Sequence, residues 1–175
     1  MVKSIRAFFF DRDGVLIKGK IKNKKLYAVN KFEDFRFLPG AKEFLRKYKK
    51  YFKIIVITNQ PDISRGKINK KTIKQMNDKM LNTNLIDDIF ICPHLPSHNC
   101  NCRKPKLGLI REAQKKYKID LKKSFLVGDR KSDIDAGVNS GMITIFINRG
   151  YEETRPYNQN YTVKSIKNAL KLELI

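Results

Sequence analysis

Asp11 and Asp13 stand one residue apart at the end of an aromatic run, in the stretch FFFDRDGVL over residues 8–16. Two carboxylates beside a core-forming run are costly to bury, so either a cation compensates them or they face a working surface. At a strand end this spacing sets one carboxylate beside a main-chain carbonyl, an all-oxygen arrangement suited to Mg²⁺. Asp129, in the later stretch FLVGDRKSD, offers a third carboxylate from another strand end. Magnesium gathered by Asp11, Asp13 and Asp129 would keep Asp11 ionised and able to act as a nucleophile. The plainer alternative for any Asp-x-Asp is a pair of solvated loop acids.

A second cluster, CPHLPSHNCNC over residues 92–102, holds all three cysteines and both histidines of the chain. Thiolates and imidazoles at this density suit tetrahedral Zn²⁺, with Cys92, His94, Cys100 and Cys102 as the expected ligands and His98 as the rival fourth. Four protein ligands leave no open position, so such an ion would be structural. The one-residue spacings put each ligand pair on one side of an extended chain. Ordinary buried cysteines beside a surface histidine are the alternative, but Pro93, Pro96 and the asparagines make this stretch a poor core element.

Residues so far apart in the chain need elements that bring them together. Short apolar runs rich in β-branched and aromatic residues recur at 5–10, 53–57, 89–92, 124–127 and 143–147, each followed by a polar or glycine-containing turn. Between them, Phe44, Leu45 and Tyr48, then Ile73, Met76 and Met80, then Leu107, Ile110, Ala113 and Tyr117 carry helical spacing. The alternation predicts an α/β fold, a Rossmann-like parallel sheet with helices on both faces. Continuous apolar strands such as 8–10 and 54–57 fit a sheet covered on both sides. In that architecture ligands bind beyond the carboxyl ends of strands, where Asp11 and Asp13, Thr58-Asn59-Gln60, and Gly128-Asp129-Arg130 would share one edge. Segment 17–36, lysine-rich, reads as a flap or a solvated hairpin. Residues 151–175 read as a polar extension with a short helix near 163–172, packed on the outside.

With 175 residues and 41% hydrophobic composition the chain is long enough for one core, and a single domain over 1–175 is expected. No apolar run approaches the roughly 18 residues of a membrane helix, and the aromatic start breaks at Asp11-Arg12-Asp13, which argues against a signal peptide or anchor. Three clustered cysteines are too few for a disulfide framework and point to a reducing, cytoplasmic setting. The formal net charge of +21 would attract nucleic acid, anionic membranes or phosphorylated metabolites. Its lysines are spread along the chain rather than gathered in an arm or interleaved with stacking aromatics, so charge alone names no partner.

Taken together, FFFDRDGVL, VITNQ, CRKPK and FLVGDRKSD resemble the four motifs of the haloacid dehalogenase superfamily of phosphotransferases, spread over residues 8–137. The resemblance implies that Asp11 attacks phosphorus to form an aspartyl phosphate while Asp13 protonates the leaving oxygen and later activates water. It implies that Thr58 and Lys104 hold the transferring phosphoryl oxygens, that Asp129 binds the metal and that Asp133 supports it.

A zinc loop followed by Arg-Lys-Pro, with little sequence left for a cap domain, resembles one branch of that superfamily. This branch contains D-glycero-D-manno-heptose-1,7-bisphosphate 7-phosphatases and the histidinol-phosphate phosphatase domain. The likeness adds Arg103 and Arg130 as phosphate or sugar contacts, for which the planar guanidinium fork is suited. Thr58 to Gly66, with an Arg-Gly pair at 65–66, is similar to the heptose enzymes and implies substrate contacts from Asn59, Gln60 and Arg65. Pro61-Asp62 departs from them, and 91–96 is equally similar to the histidinol branch. Zinc in the loop would hold Lys104 in place. The expectation is therefore a monomeric Mg²⁺-dependent phosphatase with structural Zn²⁺, acting on a phosphorylated small molecule, foremost the heptose bisphosphate. Histidinol phosphate, a nucleic-acid 3′ end and a non-catalytic zinc-stabilised binding module are the competing assignments.

Overall fold

A computed structural model describes residues 4–174. The chain runs β1 (Ala7–Phe10), β2 (Lys20–Lys22), β3 (Lys25–Tyr27), α1 (Ala41–Tyr48), β4 (Lys53–Asn59), α2 (Lys70–Leu81) and β5 (Asp88–Cys92). It continues through α3 (Gly108–Tyr117), β6 (Phe125–Gly128), α4 (Lys131–Asn139), β7 (Ile143–Ile147), β8 (Tyr161–Val163) and α5 (Ile166–Ala169). Six strands form one parallel sheet in the order β5-β4-β1-β6-β7-β8.

Strand side chains alternate between faces, and β1 divides accordingly. Phe8 and Phe10 enter one apolar core with Ile54, Val56, Phe44 and Met76, while Ala7 and Phe9 enter another with Ile55, Ile57, Leu109 and Ala113. Helices α1, α2 and α5 cover the first face, and α3 and α4 the second. Phe8 stacks on Phe125 of the neighbouring strand at 4.6 Å between ring centres and meets Phe44 edge-on at 5.4 Å. The α/β expectation is met, with burial on both sides explaining the unbroken apolar runs.

Local chemistry sets the helix ends. Asn69 caps α2 by accepting from the Thr72 amide at 2.7 Å, a stop for an otherwise orphaned donor. α1 follows Gly40 in a left-handed conformation, and carries Glu43 in its first turn and Arg46 and Lys47 in its last, complementing the helix dipole.

Two segments depart from the sequence expectation. The 151–175 stretch contributes a sixth strand: Tyr161–Val163 pairs with Ile145–Ile147, and only the short α5 follows it, with Ile166 and Ala169 fully buried. The extension is thus part of the sheet and core rather than an outer appendage. Segment 17–36 is an antiparallel hairpin of β2 and β3, turning at Asn23 and Lys24, both with positive φ, as a tight hairpin turn needs.

After β1 the chain builds β4 and β5 on one side, then returns to lay β6 against the other side of β1. The strand order therefore reverses between β1 and β6, where open parallel sheets form their crevice. Asp11 follows β1, and Asp129 follows β6.

Candidate active site

One oxygen from each of Asp11, Asp129 and Asp133 lies within 4.8 Å of the others. Asp11 leaves the end of β1, its amide bonded to the Val127 carbonyl of β6 at 2.9 Å, so the sheet ladder itself sets its position. Asp133 sits in the first turn of α4 and accepts from the amides of Asp129 and Arg130 at 3.2 and 3.1 Å, tying the β6–α4 turn to the helix start. Glycine is required on both sides of the cluster. A Cβ on Gly14, whose φ is +86°, would lie 2.0 Å from Asp129 Oδ2, and one on Gly128 would lie 2.2 Å from the Asp133 Cβ.

The Lys104 ammonium is buried among three acceptors: Asp11 Oδ1 at 2.6 Å, the Ile57 carbonyl at 2.7 Å and Asp133 Oδ1 at 2.8 Å. All three of its donors are thereby engaged. Burial would discharge it, but Asp11 and Asp133 outweigh that and push its pKa up. Burial pushes Asp11 to about 6 against the pull of Lys104, with Asp133 and Asp13 adding to the rise. Burial, then Asp11 and Asp133, push Asp129 well above the ordinary carboxylate range. Three carboxylates face the one ammonium of Lys104, Arg130 adds a weaker pull on Asp129, and Asp129 Oδ1 is buried with no hydrogen-bond partner. A hard divalent cation with oxygen ligands fits that deficit.

The Asp13 carboxylate stands apart from this cluster. Its Oδ1 accepts from the Val29 amide at 3.0 Å, and its Oδ2 accepts from Arg12 Nε at 2.9 Å and Gln60 Nε2 at 2.7 Å. Three donors thus hold its side chain away from the cluster, leaving its main-chain carbonyl as the group the ligand expectation requires. Gln60, expected to touch substrate, is buried and gives its amide to Asp13 and, at 2.9 Å, to Thr58 Oγ1. Asn59 pairs with the Lys104 backbone in both directions, accepting its amide at 3.1 Å and donating to its carbonyl at 3.2 Å. Gln60 thus faces inward, whereas Asn59, though tied to the Lys104 main chain, also lines the cleft.

A cleft of about 320 Å³ opens above Asp11, Asp13, Thr58 and Lys104. Arg65, Lys67, Arg103 and Arg130 line it together with Leu26 and Tyr27 of the hairpin, so segment 17–36 borders the site. Arg130 donates to the Leu26 carbonyl at 2.6 Å and Arg103 to the His94 carbonyl at 3.2 Å, while Arg65 pairs with Asp62 at 3.0 Å. Lys67 was not among the expected contacts; the Arg-Gly-Lys run places it beside Arg65, a signal available in the sequence.

Behind the cleft, ligand atoms of Cys92, His94, Cys100 and Cys102 lie within 4.8 Å of one another. Cys92 Sγ is 3.6 Å from Cys100 Sγ, and Cys102 Sγ is 3.5 Å from Cys100 Sγ and 3.2 Å from His94 Nδ1. Tetrahedral zinc with bonds of about 2.3 Å to sulfur separates its sulfurs by about 3.7 Å. Two of the three sulfur separations match that value while Cys102 Sγ approaches Cys92 Sγ to 2.9 Å, so the four-group donor set is compatible with Zn²⁺, and His98 stands outside it, 5.8 Å ring to ring from His94. Against burial, donors from Arg103 N, Cys102 and Cys92 bring Cys100 down to about 6, favouring the thiolate that such a metal binds.

The family described as polynucleotide kinase 3 phosphatase matches residues 6–140. The D-glycero-alpha-D-manno-heptose-1,7-bisphosphate 7-phosphatase of Photorhabdus laumondii is 39% identical over 166 residues, covering 87% of this chain and 87% of that protein. The chain belongs to the heptose bisphosphate phosphatase family of the haloacid dehalogenase superfamily. The D-glycero-beta-D-manno-heptose-1,7-bisphosphate 7-phosphatase of Helicobacter pylori strain J99 is 39% identical over 148 residues, covering 80% of this chain and 81% of that one. The fold matches that of a D,D-heptose 1.7-bisphosphate phosphatase from B. bronchiseptica complexed with magnesium and phosphate, with a TM-score of 0.80, 24% identity and coverage of 94% and 96% of the two chains.

Membership in this phosphatase family leaves one contact unaccounted for by the motifs. Tyr151 donates to Asp129 Oδ2 at 3.0 Å, and Arg149 donates through Nε and Nη2 to the Gly14 carbonyl at 3.0 and 2.8 Å. Both come from the loop after β7, whose sequence carries no spacing that links it to either aspartate. No helix among the described residues is long and apolar enough to cross a membrane.

Proposed function

We propose that this chain hydrolyses the 7-phosphate of a D-glycero-D-manno-heptose 1,7-bisphosphate through an aspartyl phosphate on Asp11. The observation that carries the reading is the gathering of Asp11, Asp129 and Asp133 around the one ammonium of Lys104, on the floor of a cleft rimmed by cations. Asp11, the Asp13 carbonyl and Asp129 would hold Mg²⁺, with Asp133 in support. The ion would screen the charge of the transferring phosphoryl group from the nucleophile.

The chain's own residues supply the rest. An Asp11 oxygen attacks phosphorus as the bond from phosphorus to the sugar oxygen breaks, and Asp13 gives its proton to that leaving oxygen. Asp13 then takes a proton from water, which attacks phosphorus. The bond to Asp11 breaks, inorganic phosphate leaves and the carboxylate is restored. Thr58 Oγ1, held by Gln60, and the Lys104 ammonium steady the phosphoryl oxygens. Arg65, Lys67, Arg103 and Arg130 suit the second phosphate of a bisphosphate. The four-ligand zinc loop anchors the chain directly ahead of Lys104. The same reading has the enzyme act as a monomer in the cytoplasm, where thiols stay reduced.

The matched family's description also favours a second reading, removal of phosphate from a nucleic-acid 3′ end, which the charge of +21 would assist. Parallel assays of both anomers of heptose 1,7-bisphosphate, of histidinol phosphate and of a 3′-phosphorylated DNA end, with Mg²⁺ and then EDTA, separate these. The heptose bisphosphate should turn over with the highest kcat/KM and lose all activity in EDTA. Preference for either other substrate would replace the assignment.

A further inference from the structure

The loop leaving β7 reaches back to the cleft and touches two parts of the catalytic floor at once. From it, Tyr151 supplies the one hydrogen bond that the Asp129 carboxylate receives among the described residues, at 3.0 Å on Oδ2. The other oxygen, Oδ1, is buried with no partner. The two oxygens of Asp129 thus differ: Oδ2 is tethered to a phenol and Oδ1 is buried without a partner, while one oxygen of this carboxylate lies within 4.8 Å of oxygens of Asp11 and Asp133. Two residues earlier, Arg149 grips the Gly14 carbonyl with both arms of its fork, and the missing side chain of Gly14 is what lets Asp129 Oδ2 and Tyr151 Oη approach. A Cβ there would lie 2.0 Å from the first and 2.9 Å from the second.

We infer that Tyr151 is a positioning residue for the divalent cation, fixing the Asp129 carboxylate so that Oδ1 alone is presented to the metal, with Arg149 locking the Gly14 turn against it. This rests on the cation site proposed above. The physical reason is preorganisation: a buried aspartate can rotate about χ2, and a tether on one oxygen removes that freedom before the ion arrives. Magnesium demands near-octahedral geometry, so a carboxylate free to turn or to bind through both oxygens is penalised. Asn148 to Tyr151 therefore couple the end of β7 to the end of β1, making the metal site depend on a loop outside the recognised motifs.

The test uses the full chain and Mn²⁺ as a spectroscopic stand-in for Mg²⁺, with binding read by the paramagnetic signal of the free ion. Tyr151→Phe keeps the ring and deletes only the donor. Its Mn²⁺ dissociation constant should rise about tenfold, the low end of the effect of losing an orienting partner, with cooperative unfolding retained in the metal-free state. In an Asp129→Asn background the same substitution should add nothing, and Arg149→Lys should weaken Mn²⁺ binding less than Tyr151→Phe. If wild type binds Mn²⁺ and Tyr151→Phe binds it equally well, the positioning role is overturned while the metal site stands. If wild type binds no Mn²⁺, the metal site itself is overturned, and this role with it. Additive losses in the double variant would also overturn it, because the phenol would then act elsewhere.

Discussion

Asp129 carries most of the electrostatic cost at the site. It is buried, has Tyr151 as its one donor among the described residues and is reached only weakly by the Arg130 charge, whereas Asp11 and Asp133 share Lys104. An uncompensated buried charge is expensive and its neutral isostere is not. Asp129→Asn should therefore raise the metal-free melting temperature, by about 1–2 kcal/mol of stability, while removing turnover. Excess Mg²⁺ should stabilise wild type by about 2.7 kcal/mol at a hundred times its dissociation constant and leave the variant unmoved. Thermal denaturation with and without Mg²⁺ measures both, and a less stable metal-free variant would show that the charge is compensated. Asp11 and Asp129 were legible in the sequence because each ends an apolar run. The tether from Tyr151 was not, because a phenol in a polar stretch shows no periodicity that aims it at a distant carboxylate. Gln60 shows the converse: its place after a strand resembles a substrate contact, yet burial and two bonds inward make it a support.

At the scale of elements, strands with unbroken apolar runs were readable, and β8 was not. Tyr161–Val163 is short, two of its three residues are exposed, and its contribution is ladder bonding to β7 rather than apolar burial, so no hydrophobic pattern marks it. The junction of α1 with β4 offers a titration test. Asp87 accepts from the Ile54 amide at 2.7 Å and meets Lys49 at 2.7 Å and Lys53 at 3.1 Å. Burial raises its pKa, but the amide and the two lysines outweigh that and hold it below the usual range. Its folded pKa is thus lower than its unfolded one, so its contribution is complete above about pH 4 and fades as pH falls through the folded value. Asp87→Asn should cost about 1 kcal/mol at pH 7, after allowing for solvent screening, and nothing at the acid end. A loss that stays constant with pH would point to packing instead. The zinc loop gives a second element-level expectation. With zinc bound as proposed, chelation should lower kcat, through Lys104, more than it lowers the melting temperature of the sheet; unchanged activity with zinc demonstrably gone would sever that link.

Over the whole molecule the charge of +21 is spread widely, yet the cleft gathers Arg65, Lys67, Arg103 and Arg130 at its mouth. Such a rim steers doubly charged substrates, and salt screens it over about 10 Å at 0.1 M. KM for a bisphosphate should rise several-fold between low and physiological salt at constant kcat, whereas a salt-indifferent KM would reduce the rim to solubility. The sheet's outline has a separate consequence. β5 and β8 are its two edge strands, and among the described residues β5 pairs with β4 alone, leaving the outer main-chain groups of Asp88–Cys92 without a ladder partner. Lys116 and Tyr117 hold Asp88 at one end, and the thiol cluster holds Cys92 at the other. Releasing the thiol end would free a strip able to zip onto the same strip of another copy, so a chain stripped of the proposed zinc should turn cloudy with concentration well before it melts.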